Sequence, residues 1–293
     1  RLNAPGDEER LAAGIAALHE EDPAFAYRTD PEIHQFIIAA QGELHLEVLF
    51  ERLKRRYKVD VSLEQPKIRY RETIRGRGEA RYRHKKQTGG AGQFAEVWLR
   101  VEPGPRDSGL GFSQSLTGQD VDRIFVPSVE KGVKTLSQEG IHAGFRVTDV
   151  KVDFYGGKMH PVDSKDIAFQ IAGYFAFREA FQNARPCLLE PIHELEIKVP
   201  EEFVGRVVGD LSSRRGKILG MDVNGRLQVI RAQVPAAQLY RYGTALRSLT
   251  GARGLHSEKF SHYEELVAEQ EKKLVADYQA ARAAGTARHN HTH

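Results

Sequence analysis

Apolar residues recur along the chain with two periods, and the switches between them mark out its elements. In "GDEERLAAGIAALHEE" (6–21), Leu11, Ile15 and Leu18 stand four and three apart, the spacing of one helix face. "PAFAYRT" and "IHQFIIAA" read as short strands around the turn "DPE". "GELHLEVLFERLKRRY" reads as a second helix, with Leu44, Val48, Leu49 and Leu53 on one stripe and Lys54, Arg55 and Arg56 at the C-terminus, where cations suit the helix dipole. "VDVSLE" (59–64) alternates as a closing strand. Helix, strand, strand, helix, strand lacks only a leading strand to be a split βαβ sandwich of the ferredoxin kind.

Residues 190–262 spell that order in full. "PIHELEIKVP" is a strand, "EEFVGRVVGDLSSRR" a helix, and "GKILGMDV" and "GRLQVIRAQV" are strands turned through Asn224-Gly225. "PAAQLYRYGTALRSLT" is a helix with Pro235 near its first turn, and "RGLHSEKF" a last strand. Between the two repeats the pattern differs. "EARYRHKKQ", "FAEVWLRVEP" and "LGFSQSLTG" alternate as strands, "GPRDSG" (104–109) reads as a hairpin loop, and Val126, Val129 and Val133 mark a helix. "FRVTDVKVDFYGG" is another strand, followed by a long helix from "DSKD", with Asp163 as N-cap and Asp166 in the first turn. The expected domains are 1–69, 70–189 and 190–262. A charged helix and a frayed tail (263–293) follow, and a disordered polar end is preferred for His289, His291 and His293 over a metal site.

Composition narrows the chemistry. With 40% apolar and 28% charged residues the chain is a folded one. Its single cysteine, Cys187, excludes an intrachain disulfide and a cysteine zinc site. The longest apolar run, Ile167–Phe177, is shorter than the roughly 18 residues of a membrane span. His45, between Glu43 and Glu47, lacks the H-E-x-x-H spacing of a zinc site and reads as part of a helix N-terminus. No metal site is expected. The chain opens at Arg1 without a methionine, in "RLNAPGDEERL", which reads as the interior of a longer protein.

A net charge of +3 says little, but from Arg69 to Lys86 eight Lys or Arg stand against Glu72 and Glu79. That stripe runs into "RYRHKKQTGGAGQF" (81–94). A nucleotide-binding P-loop needs a lysine after its last glycine and a helix behind it; here a strand follows, so nucleotide binding and catalysis by this chain are rejected. The remaining readings are an ordinary glycine hairpin with a solvated basic flank, or a tip whose bare backbone at Gly89, Gly90 and Gly92 approaches a polyanion, with Lys85 and Lys86 for phosphate and Gln87 and Gln93 for bases or 2′-hydroxyls. "YGGKMHPVDS" (155–164) is a second such tip and displays Lys158, Met159 and His160. "LSSRRGKILG" (211–220) has two readings as well: a helix end with Gly216 as its left-handed stop, or phosphate contacts by Arg214, Arg215 and Lys217.

Several collinear stretches, "GELHLEVLFERLK", "PKIRYRETI", "KKQTGGAGQF", "HPVDSKDIAFQIAG", "LEPIHELEIKVPEEFVGRVVGDLSSRRGKILGM" and "YGTALRSLTGARG", resemble the C-terminal half of the elongation factor G family. The resemblance implies an α+β fold: two ferredoxin-like split-βαβ sandwiches flanking a ribosomal-protein-S5-like α/β domain, the family's third to fifth domains. It implies a cytoplasmic, monomeric, ribosome-bound portion of a translational GTPase that promotes tRNA–mRNA translocation, with no membrane partner. GTP and magnesium belong to an upstream domain, and none is expected in this chain. The two tips would meet messenger and transfer RNA in the decoding centre, and Arg214, Arg215 and Lys217 ribosomal RNA. Departures from the family pattern, Ala91 for an arginine, Ala95-Glu96 for Gly-His and Lys158 in the other tip, point to a diverged elongation factor G-like paralogue. Two alternatives are a ribosome protection or rescue GTPase and an RNA-binding module that works away from the ribosome.

Overall fold

The computed structural model describes residues 6–33, 35–87 and 92–285. Two compact units form, one from residues 1–69 and 191–262, the other from 70–190 and 263–293.

In the first unit, α1 (Glu8–Glu21) buries Ile15 and Leu18 against Leu49 and Leu53, behind the antiparallel hairpin of β1 (Ala26–Asp30) and β2 (Gln35–Ala39). Of the expected stripe on α2 (Glu43–Arg52), only part is buried: Leu49 and Leu53 face the core, while Leu44 and Val48 are exposed. The stripe is two lines about 100° apart. The 45/49/53 line wins because His45 bonds Asp22 at 2.9 Å.

The strand expected over 59–64 does not form; Val61 makes an isolated bridge and the rest is irregular. The second lobe of the unit gives the reason. There β8 (Pro186–Pro200), β9 (Lys217–Asn224), β10 (Leu227–Pro235) and β11 (Leu255–Glu265) lie in the order β11-β8-β10-β9, so the last strand pairs with the first. Among the described residues no strand precedes α1, so residues 59–64 have no equivalent neighbour. The complete lobe covers its sheet with α5 (Val204–Ser213) and α6 (Tyr242–Thr250) over a core that includes Leu195, Ile197, Leu211, Ile230 and Leu246. Pro235 ends β10, and α6 starts only at Tyr242, after a 3-10 turn.

The second unit is the arm. β3 (Arg71–Ile74) pairs with Pro186–Leu189 at the start of β8. The main sheet has the order β4-β5-β7-β6, from β4 (Gly78–Lys86), β5 (Gln93–Pro103), β7 (Val150–Lys158) and β6 (Leu110–Gln114). Loop 104–109 is therefore no hairpin: β7 lies between the strands it joins, and β6 runs parallel to β7. α3 (Val126–Glu139) and α4 (Asp166–Asn183) cover one face, where alternating Val97, Leu99, Val152 and Phe154 meet Phe169 and Phe177. Phe125 stacks on Phe169 at 4.3 Å. α7 (Ala268–Ala283) packs Leu274, Val275 and Tyr278 around Ala143 and Phe145. None of these helices is long and apolar enough to cross a membrane.

Candidate nucleic-acid interface

β4 runs toward one end of the arm, β5 returns from it and β7 runs toward it again. Both glycine loops therefore leave the sheet at that end. Gly89 and Gly90 lie outside the described residues, as do His289, His291 and His293, but the flanks of the first loop are fixed against the second. The Phe94 amide donates to the Asp163 carbonyl at 2.9 Å, and the Ser164 hydroxyl donates to the Phe94 carbonyl at 2.9 Å. Gly92 is buried there; a Cβ on it would stand 2.8 Å from the Asp163 carboxyl carbon, so a larger residue would displace the Asp163 side chain from the joint.

Asp163 is thus no N-cap. The helix begins at Asp166 behind Lys165, and Asp163 belongs to a turn that His160 organises. The amides of Val162 and Asp163 donate to His160 Nδ1 at 3.3 and 3.2 Å, and the His160 amide donates to the Ser164 hydroxyl at 2.8 Å. Nδ1 accepts from both amides, which leaves Nε2 as the ring's N–H donor. The ring lies 6.3 Å from that of Phe94 and is half exposed.

Around this joint the cations Lys85, Lys86 and Lys158 are exposed, as are Gln87 and Met159. Gln93 is less free, because His84 Nε2 donates to its side-chain oxygen at 3.0 Å across the strands. The structure therefore brings Lys85, Lys86, Gln87, Gly92, Gln93, Lys158, Met159 and His160 to one end. The residues that join the loops, Phe94, Asp163 and Ser164, escape a reading of the sequence. Phe94 and Ser164 stand 70 residues apart, and no local pattern encodes their pairing.

The third patch belongs to the other unit. α5 ends in a Schellman motif: the Gly216 amide donates to the Leu211 carbonyl at 2.8 Å and the Arg215 amide to that of Ser212 at 3.2 Å. The left-handed residue is Arg215, with φ 61°, and not Gly216. Gly216 is needed for closeness instead, since a Cβ would meet the Leu211 carbonyl at 2.6 Å. Arg214 is committed internally. It bonds Asp210 at 2.9 Å and the Gln238 carbonyl at 2.7 Å, and lies over the Tyr242 ring. Lys217 is exposed at the start of β9.

Comparison with known proteins gives three consecutive matches along the chain. Family models match in order: Elongation Factor G, domain III over residues 2–65; Elongation factor G, domain IV over 66–185; and Elongation factor G C-terminus over 187–274. The elongation factor G of Aquifex pyrophilus is 44% identical over 279 residues, which is 94% of this chain and 40% of that protein. A crystal structure from Thermus thermophilus superposes with a TM-score of 0.86 at 40% identity, covering 95% of this chain and 42% of the other. The chain spans less than half the length of these relatives. Three consecutive domain matches and this degree of identity agree with the fold: the chain belongs to the elongation factor G family, of which it carries domain III, domain IV and the C-terminal domain.

Proposed function

We propose that this chain is the ribosome-binding portion of a translational GTPase that promotes movement of tRNA and mRNA during protein synthesis. The arm works as a wedge, its two loops entering the decoding centre and occupying space that transfer RNA vacates. GTP and magnesium act in a domain upstream of this chain, which itself holds no nucleotide. The protein works in the cytoplasm as a monomer, and Lys217 and Arg215 serve ribosomal RNA in the C-terminal domain.

The observation that carries the reading is the joint between the loops. Phe94, Asp163 and Ser164 hold them side by side, so Lys85, Lys86, Lys158 and the Nε2–H of the half-exposed His160 ring act on a single ligand. Cations of this kind position a polyanion, while a directed N–H selects among its groups. In the full-length protein, charge reversal of Lys85 and Lys86 slows single-turnover translocation about tenfold or more with thermal unfolding unchanged, and His160→Ala slows it as much while also freeing the Val162 and Asp163 amides of the turn. Translocation at the parent rate in both variants would sink the reading.

A further inference from the structure

We propose that the uncovered face of the arm's four-stranded sheet is a second RNA-contacting surface, along which a ribose–phosphate strand continues from the tip. The proposal rests on the tip reading above and extends it away from the loops. α3 and α4 cover only one face of this sheet. The strand register sets the residues of the other face in rows: Arg83, Glu96 and Lys158, then Arg81, Trp98 and Gly156, then Glu79, Arg100 and Asp153. Successive rows are about 6.8 Å apart, two residues of strand.

The middle row is built, not merely solvated. The Arg81 guanidinium lies over the Trp98 ring at 4.3 Å, and the indole N–H donates to Glu96 Oε1 at 2.9 Å. Beneath the ring sits Gly156, where a Cβ would come within 2.4 Å of the indole. A guanidinium is thus stacked on an indole that is itself seated on bare backbone and tied by its N–H. In the neighbouring row Arg100 lies over Tyr155 at 4.9 Å. A stacked arginine with no acid partner, as Arg81 is, keeps its N–H edge and outer face available to a phosphate or a base, and it loses little entropy on binding because it is already ordered.

Charge favours RNA over other partners. Glu96 is answered by Arg83 at 2.6 Å, and Asp153 by Arg100 at 3.1 Å. Arg81 meets no carboxylate among the described residues and its row adjoins that of Lys158; the exposed Glu79 stands in the row on the other side, so the excess of positive charge lies toward the tip. A polyanion satisfies that gradient.

Trp98 is the only tryptophan of the chain, so its emission reports this face directly. Oligouridylate and a defined RNA stem-loop are titrated into the 293-residue chain at several salt concentrations. The expected result is a change in Trp98 emission on binding. Arg81→Ala should weaken affinity about tenfold and lower the salt slope by about one, and Arg81→Lys, which keeps charge but not the stacked plane, should fall between. A double Lys85→Ala, Lys86→Ala variant tests the tip separately. Arg81→Ala binding within about twofold of the parent at the same slope overturns the proposal and leaves this face to a protein partner. If the lysine variant alone loses affinity, the tip reading survives; if neither does, both fall.

Discussion

The two ends of the arm each bury a glutamate, and they treat it in opposite ways. At the base, Glu72 of β3 is fully buried and accepts four backbone N–H bonds: from Ile141 and His142 on one oxygen, at 2.6 and 2.8 Å, and from Ala143 and Phe145 on the other, at 2.7 and 3.0 Å. Toward the tip, Glu96 of β5 is held by side chains instead, Arg83 and the Trp98 indole. Glu72 closes a loop on itself and leaves nothing for a ligand, and α7 packs on that same loop. Glu96 orders a cationic, aromatic surface that remains open to solvent. One end is a rigid mount and the other a contact surface, and the difference lies in whether backbone or side chain answers the carboxylate.

The largest effect is expected at the mount. Glu72→Ala leaves four N–H groups, those of Ile141 and Ala143 buried and those of His142 and Phe145 partly buried, without their acceptor and should cost about 3–5 kcal/mol, read from urea unfolding. Glu72→Gln keeps the shape but turns one end into a donor facing donors, so it should cost less and still destabilise. A loss under about 1 kcal/mol for the alanine variant would mean that the loop finds other acceptors, and the contrast between the ends would dissolve.

How much of this is legible in the sequence differs between the ends. The alternation of β4, β5 and β7 and the apolar runs of α3 and α4 are readable, because one buried face imposes a period on each element. The basic stripe and both glycine loops are readable as well. Pairings across long separations are not. Glu72 appears in the sequence only as an acid within a basic run, and its four partners lie about 70 residues away. Asp163 reads as a helix cap because an acid just before a helical run usually is one; here the Phe94 backbone claims its carbonyl first. Arg215 and Arg185 occupy the left-handed position that sequence rules reserve for glycine, and nothing local marks the exception.

The carboxylates also separate by pH. Burial pushes the Glu72 carboxyl above the ordinary range against the pull of its four N–H donors. Glu96 feels burial too, but the Trp98 and Arg83 hydrogen bonds and the charges of Arg83 and Lys158 bring it below that range. A raised folded value means that the Glu72 contribution is complete below the unfolded value near 4.5 and is lost as pH climbs through the folded value. A lowered one means that the Glu96 contribution is complete above 4.5 and is lost as pH falls through its folded value. In stability measured against pH, Glu96→Gln should flatten the acid limb only, and Glu72→Gln the limb above 4.5 only. If both substitutions flatten the same limb, the two carboxylates are equivalent.

The smallest effect is expected at Arg185, an exposed cation at the base. It follows α4 with φ 56° and its carbonyl accepts the Arg75 amide at 3.1 Å. Arg185→Gly relieves a left-handed conformation worth about 1 kcal/mol. The same change removes a cation from the helix C-terminus, about 0.3–1 kcal/mol, and loosens the unfolded chain by a comparable amount. These terms nearly cancel, so the net gain in stability should not exceed about 0.5 kcal/mol. RNA affinity should not move at all, because this charge lies at the end of the sheet away from the loops. Loss of affinity in Arg185→Gly comparable to that in Arg81→Ala would show that charge acts on RNA over the whole arm, and the division into mount and contact surface would fail.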